Sequence, residues 1–264
     1  MLQNPLRDRL RRGEPAFGTI MSLPSPEAVE IVALAGYDWV LLDGEHGPLG
    51  PEQWLAMARA CRAAGATAIA RVPDHRPKQI LQALDVGCLG VMVPQIESVE
   101  QAADAVAATR YAPDGTRSLA GGTPAAGWGT VSLQDHVAAS NAAVLSVLQI
   151  ETRRGLEAVD AIARVPGADV LFIGPSDLSQ SLGHPGRADH PDVQAAIRRI
   201  IEAGRANGVA VGILALTADD VRTYRALGAA MFVDSATRSF LRAAQAQVAA
   251  MRDAAAAASP ARTR

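Results

Sequence analysis

Short apolar runs, many of them β-branched, alternate along this chain with helical stretches of about ten residues or more. This is the pattern of βαβ units around a parallel sheet. Eight runs read as buried strands: 17–21, 39–43, 67–72, 89–93, 145–151, 170–174, 209–214 and 230–234. The stretches between them carry helix punctuation. Ser25-Pro26 opens the first and Gly36 closes it, Pro51 opens the second, and Gly65, Gly87, Gly208 and Gly228 stand where later helices stop. Proline suits the first helical turn, and glycine the left-handed residue past the last. Strand, helix and stop recur at intervals of roughly 25–30 residues, and eight such units close a (β/α)8 TIM barrel. An open doubly wound sheet ranks below it, since no G-x-G-x-x-G follows the first strand. The 264 residues suit one α/β barrel domain over 1–264.

One interval is too long for a plain connection. Residues 111–144 form a Gly/Pro/Ser-rich excursion ending in a short helix near 132–141. Counted from the fourth strand, the excursion is expected on the carboxyl face of the barrel, as part of a substrate mouth. A C-terminal helix and tail follow from about 235, Ala-rich and then basic beyond Ala254, where fraying is expected.

Composition narrows function by exclusion. Hydrophobic residues make up 49% and charged residues 20%, with a formal net charge of −2, so nothing favours nucleic acid or an anionic membrane as partner. The longest apolar runs, such as Val170-Leu-Phe-Ile173, fall far short of the roughly 20 residues of a membrane helix. No export segment opens the chain, and Cys61 and Cys88 are the only cysteines. Together these point to a cytoplasmic protein with two free, buried thiols.

Polar residues at the carboxyl ends of barrel strands carry chemistry, while strand centres are core. The second strand ends in Asp43-Gly-Glu45-His46-Gly47, the third in Arg71, the fifth in Gln149-Ile-Glu151, and the sixth runs into Gly174-Pro-Ser-Asp177. Alternation places Leu145, Val147, Gln149 and Glu151 on one face, the last two at the mouth. Glu151 and Asp177 offer two hard oxygen ligands from neighbouring strands, suited to Mg2+ or Mn2+ with positions left for water and substrate. No paired His or Cys lies near them, which argues against structural zinc. His46, three residues after Asp43, reads as a base oriented by that carboxylate; the plainer alternative is a loop histidine satisfied by main chain. Arg71 is a permanent cation for an enolate oxygen. The Gly174–Asp177 turn opens a helix whose free N–H groups suit a carboxylate. His75, His136, His184 and His190 are expected to face solvent in loops or helix starts.

Taken together, these segments resemble the HpcH/HpaI aldolase family, the class II pyruvate aldolases of the 4-hydroxy-2-oxoheptanedioate aldolase type. The carriers are Ala35-Gly-Tyr-Asp-Trp-Val-Leu-Leu-Asp-Gly-Glu-His46, Arg71-Val-Pro73, Val93-Pro94 with Glu97, Thr109-Arg-Tyr111 with Gly115 and Arg117, Val147-Leu-Gln-Ile-Glu-Thr152 and Phe172-Ile-Gly-Pro-Ser-Asp-Leu178. The resemblance implies a carbon–carbon lyase with a divalent ion (Mg2+, Mn2+ or Co2+) on Glu151 and Asp177, a pyruvate or hydroxypyruvate donor and an aldehyde acceptor. It implies that the Ser176 and Asp177 amides hold the keto-acid carboxylate, Arg71 steadies the enolate, Gln149 supports the ligands, and Asp43 with His46 moves a proton through water. It also implies a homohexamer with the last helix packed on a neighbour. The relatives' Ala-Arg-Ala before the loop tryptophan is missing, since Thr123-Pro-Ala-Ala-Gly127 precedes Trp128, which implies an acceptor chosen without that arginine.

A Schiff-base aldolase needs a lysine at a strand end, whereas Lys78, the only lysine, stands at a helix start. Two other readings stay open: a citrate-lyase-beta-like or malyl-CoA-lyase-like carbon–carbon lyase with a thioester partner, and a catalytically silent keto-acid-binding barrel.

Overall fold

Eight parallel strands close on themselves in chain order in the computed structural model, which describes residues 2–257. They are β1 (Ala16–Met21), β2 (Trp39–Asp43), β3 (Thr67–Arg71), β4 (Gly90–Val93), β5 (Leu145–Ile150), β6 (Val170–Ile173), β7 (Ala210–Leu214) and β8 (Met231–Ser235). The TIM barrel expected from the eight runs is formed, each strand within a residue or two of its expected place. Helix α1 (Pro5–Arg11) precedes the barrel, and α2 (Pro26–Leu34), α3 (Pro51–Ala64), α4 (Pro77–Asp85) and α5 (Val99–Thr109) follow the first four strands. Helices α6 (Leu133–Ala143), α7 (Arg153–Glu157), α8 (Val159–Ile162), α9 (Pro175–Ser181), α10 (Pro191–Ala206), α11 (Ala218–Leu227) and α12 (Ala236–Ala257) complete the chain. The remainder of the expected frayed tail lies outside the described residues. Among the described residues no helix is long and apolar enough to cross a membrane.

The interior is filled by setting large side chains against glycines on neighbouring strands. Gly18 is the register partner of Trp39, Gly90 that of Ile69 and Leu145, and Gly212 that of Phe172. A Cβ at Gly18 or Gly212 would enter the Trp39 or Phe172 ring, and one at Gly90 would strike Ile69 and Leu145. Trp39 and Phe172 then meet edge to face across the interior, centroids 6.5 Å apart, an arrangement the ring quadrupoles favour. The opposite strand faces, such as Val40, Leu42, Leu148 and Ile150, pack under the helices. Not every strand is buried throughout: Phe17 is exposed, and Leu214, Asp234 and Ser235 are half-buried. These strands adjoin the sector where α12 leaves the wall, a helix in which only Ala236 is fully buried.

The opening segment, to which the sequence pattern assigned no element, plugs the amino-terminal end of the barrel. Leu6 and Leu10 join the interior cluster with Ala16, Trp39, Leu145 and Ala230. Asn4 caps α1 by accepting from Arg7 N, and its amide donates to Leu89 O (2.9 Å) and Ala143 O (2.8 Å). Arg7 donates to Val144 O (3.1 Å) and pairs with Asp169 (2.9 Å), which also binds Arg110 (2.8 Å). The four-residue spacing of Leu6 and Leu10 behind Asn4-Pro5 was the available signal.

Two expectations are corrected. The 111–144 excursion is not part of the carboxyl face: it begins only after α5 and leads into β5 from its amino end. Arg117 pairs with Asp85 at the end of α4 (2.7 Å), and Ala125 N donates to Asp85 O (3.1 Å). Counting from β4 without the intervening helix put the segment on the wrong face. His136 does not face solvent either. It is buried on α6, with Nε2 3.0 Å from Tyr111 Oη, and the Arg117 guanidinium lies 4.5 Å from the centre of the Tyr111 ring. Cys61 and Cys88 are free and buried, as expected.

If α1 is a structural plug, Leu6→Ala should destabilise the chain by about 2–5 kcal/mol in denaturant unfolding, the usual range for emptying a buried leucine site. Arg12→Ala, exposed at the C-cap of the same helix, should stay within about 0.5 kcal/mol. Equal effects of the two substitutions would refute the plug.

Candidate active site

The inward row of β2 runs Trp39, Leu41, Asp43, that of β3 ends Ile69, Arg71, and the register sets Asp43 beside Arg71. Their side chains close a two-pronged ion pair: Arg71 Nε donates to Asp43 Oδ1 at 2.9 Å and Nη2 lies 2.8 Å from Oδ2. Asp43 Oδ1 also accepts from the main-chain N–H groups of Glu45 and His46, both at 3.2 Å. Burial opposes the Asp43 charge, but the Arg71 hydrogen bond and field and the two amides hold its carboxyl below the usual range. Burial likewise opposes the charge on Arg71, yet the bond and field of Asp43, reinforced by Glu45 and Glu151, leave its pKa above the ordinary value. The remaining prong, Nη1, lies 3.1 Å from Glu45 Oε2, a buried oxygen without a hydrogen-bond partner among the described residues.

Glu151 follows β5 on the same inward row as Leu145, Val147 and Gln149, and is 1% exposed. Its Oε1 accepts from Gln95 N at 2.9 Å, and its Oε2 accepts from Gln149 Nε2. Gln95 has φ 53°, a left-handed conformation uncommon for a side-chain-bearing residue and frequent at ligand sites. Burial, reinforced by Glu45 and Asp177 and only partly offset by the Gln95 amide and Gln149, pushes the Glu151 carboxyl up to about 7. Gly174, just past β6, continues its inward row, and a Cβ there would strike Glu151 Oε2 and stand 3.0 Å from Gln149 Nε2. Glycine keeps that space open.

The structure thus brings Asp43, Arg71, Gln149 and Glu151 together, with Ser176 and Asp177 exposed on the first turn of α9. It does not form the expected Asp43–imidazole contact. Asp43 binds the main chain of His46, while the ring is 62% exposed with Nε2 3.9 Å from Glu45 Oε2. Arg71 had already claimed the carboxylate. Sequence reading assigned no role to Glu45, although it lies two residues past Asp43 in the same loop. Gln95 gave no sequence signal, because it contributes a main-chain N–H. Lys78 is exposed on the first turn of α4.

The donor set fits a hard divalent cation. Asp43 and Glu45 pair with the Arg71 guanidinium, Glu151 is held by uncharged donors, Asp177 adds its charge to the field at Glu45 and Glu151, and Gln149 Oε1 has no hydrogen-bond partner among the described residues. Buried charge of one sign calls for a counter-charge, and oxygen ligands select Mg2+-like ions.

The chain is similar to known proteins along most of its length. Residues 17–244 match the family profile described as HpcH/HpaI aldolase/citrate lyase. A hydroxypyruvate/pyruvate aldolase of Paraburkholderia phytofirmans is 42% identical over 231 residues, 85% of this chain and 88% of the relative. A 5-keto-4-deoxy-D-glucarate aldolase of Shigella dysenteriae is 39% identical over 226 residues, 86% of this chain and 88% of the relative. The crystal structure of an HpcH/HpaI aldolase/citrate lyase family protein from Burkholderia cenocepacia superposes with a TM-score of 0.90 at 40% identity, covering 95% of this chain and 100% of that one.

A raised Glu151 pKa makes metal-free stability depend on pH in a defined direction. The folded chain takes up a proton that the unfolded chain, with a carboxyl near 4.5, releases. This contribution is fully present below about pH 4.5 and is lost as pH rises towards about 7. In chelator, the melting midpoint should fall across that window by a component absent in Glu151→Gln, as read by circular dichroism. Parallel profiles for the two proteins would contradict the assignment.

Proposed function

The chain belongs to the HpcH/HpaI aldolase/citrate lyase family, and we propose that it is a divalent-metal-dependent class II aldolase acting on 4-hydroxy-2-keto acids. Its donor would be pyruvate or hydroxypyruvate, and its acceptor an aldehyde. The observation that carries this reading is a group of four carboxylates at the carboxyl ends of β2, β5 and β6, with Asp43 and Glu151 buried and Asp177 exposed, beside a single arginine that pairs with Asp43 and Glu45. The substrate names of the two relatives, both aldolases, support the same chemistry.

Glu151 and Asp177 would hold the ion, with Gln149 fixing the Glu151 carboxylate. When bound, a divalent ion polarises the 2-keto group and acidifies the neighbouring carbon. The Ser176 and Asp177 amides have no acceptor within α9, because they belong to its first turn, and would take the keto-acid carboxylate. Arg71, pinned by Asp43 and Glu45, presents a fixed positive charge to the keto oxygen as negative charge grows there. His46, its ring 62% exposed, would take the proton of the 4-hydroxyl group, directly or through water. Asp43 is a positioning residue, holding Arg71 and the 45–46 main chain. Imine chemistry is disfavoured, since Lys78 stands on a helix and outside the cluster.

Helix α12 supports assembly into a homo-oligomer. Its 22 residues fully bury only Ala236 and expose Leu241, Val248 and Met251, so its apolar positions would be covered by a neighbouring copy, in keeping with a hexamer.

In a retro-aldol assay over a panel of 4-hydroxy-2-keto acids, chelated protein should be inactive and recover with Mn2+. Glu151→Gln and Asp177→Asn should each lose roughly a hundredfold or more of kcat, the scale of losing a main electrostatic contact, while Lys78→Ala keeps its activity. Full turnover after exhaustive chelation, or a borohydride-trapped keto-acid adduct on Lys78, would overturn the proposal.

A further inference from the structure

The loop joining α9 to α10 carries a second cluster of ligand-type side chains, outside the oxygen-rich site. His184 follows the turn that ends α9, past Gly183 in its left-handed conformation (φ 89°), with its N–H reaching Ser179 O at 2.7 Å. His190 is the N-cap of α10, its Nδ1 accepting from Asp192 N at 3.3 Å, and Asp192 lies in the first turn of that helix. The two imidazoles are stacked, centroids 3.5 Å apart and planes within 16°. His184 Nε2 lies 3.0 Å and His190 Nδ1 3.7 Å from Asp192 Oδ2.

We propose that His184, His190 and Asp192 form a second metal site, for one imidazole-preferring transition-metal dication, Zn2+ in the first instance. A tetrahedral ion with ligands at about 2.0–2.1 Å sets those ligands about 3.3 Å apart. The two distances to Asp192 Oδ2 bracket that value, and the three ligand atoms all lie within 4.8 Å of one another, so turning one imidazole out of the stack, until both in-plane lone pairs face one point, closes the site. The interactions given up are the stacking of the two rings, a long Asp192 N–H bond and a His184–Asp192 contact that the ion replaces. Both rings are largely covered, at 25% and 22% exposure, whereas Asp192 is 68% exposed, which leaves an open entry path and a position for water. Two imidazole nitrogens and one carboxylate select a different ion from the all-oxygen set at the barrel mouth, so the two sites can be loaded separately. A bound ion would tie the end of α9, whose first turn carries Ser176 and Asp177, to the start of α10.

Calorimetric titration of Zn2+ in excess Mg2+ tests the site, with folding checked by circular dichroism. Wild type and Glu151→Gln should each bind one Zn2+ per chain. His184→Gln and His190→Asn, the latter keeping a capping side chain, should bind it roughly tenfold or more weakly. With Co2+, wild type should show a tetrahedral visible band that both histidine variants lack. Absence of binding in wild type, loss of it in Glu151→Gln, or unchanged binding in both histidine variants would overturn the proposal.

Discussion

In a closed parallel barrel the inward face of each strand has to fill the interior along its length and present chemistry at its end. The period-two alternation of strands couples the two demands. The row that packs Trp39 and Leu41 ends in Asp43; the row of Leu145 and Val147 ends in Gln149 and Glu151; the row of Val170 and Phe172 ends in Gly174. A one-residue slip in any of these strands would turn the site residues towards the helices and the packing residues out of the barrel interior. The glycines opposite Trp39, Ile69, Leu145 and Phe172 make the filled interior possible, and Gly174 extends the same device into the site, where it leaves space beside Glu151.

At the mouth, electrostatics takes over from packing. Arg71 is committed to Asp43 through two contacts and touches Glu45 with a third nitrogen. Truncating one partner of such a buried pair costs about 3–5 kcal/mol, because the other charge is left stranded. The arginine cannot neutralise the remaining carboxylates, and burial, reinforced by the charges of Glu45 and Asp177, raises the Glu151 carboxyl. This concentration of like charge, much of it buried, supports the proposed ligand of opposite sign.

The fold was legible because glycine and proline punctuation repeats with the strands, and the inward identity of Gln149 and Glu151 follows from counting by twos from Leu145. The less legible parts share one physical origin: they depend on contacts between segments remote in sequence. Asp43 lies three residues from His46, which suggested a dyad, but the β2–β3 register gave its carboxylate to Arg71 instead. The 111–144 segment was placed by its position after β4, while its location is set by Asp85 and by entry into β5. His136 looked like a loop residue until Tyr111 covered it. Gln95 acts through its main chain, which no side-chain pattern encodes.

The central claim is that the carboxylate cluster holds a divalent ion which, with Arg71, enolises a 2-keto acid, and proton exchange measures this without any acceptor. Pyruvate in heavy water with Mg2+ is followed by NMR for loss of its methyl protons. The wild type should exchange them, and chelated protein, Glu151→Gln and Arg71→Ala should each be slower by roughly a hundredfold or more. Exchange at the wild-type rate in chelated protein or in Arg71→Ala would contradict the claim.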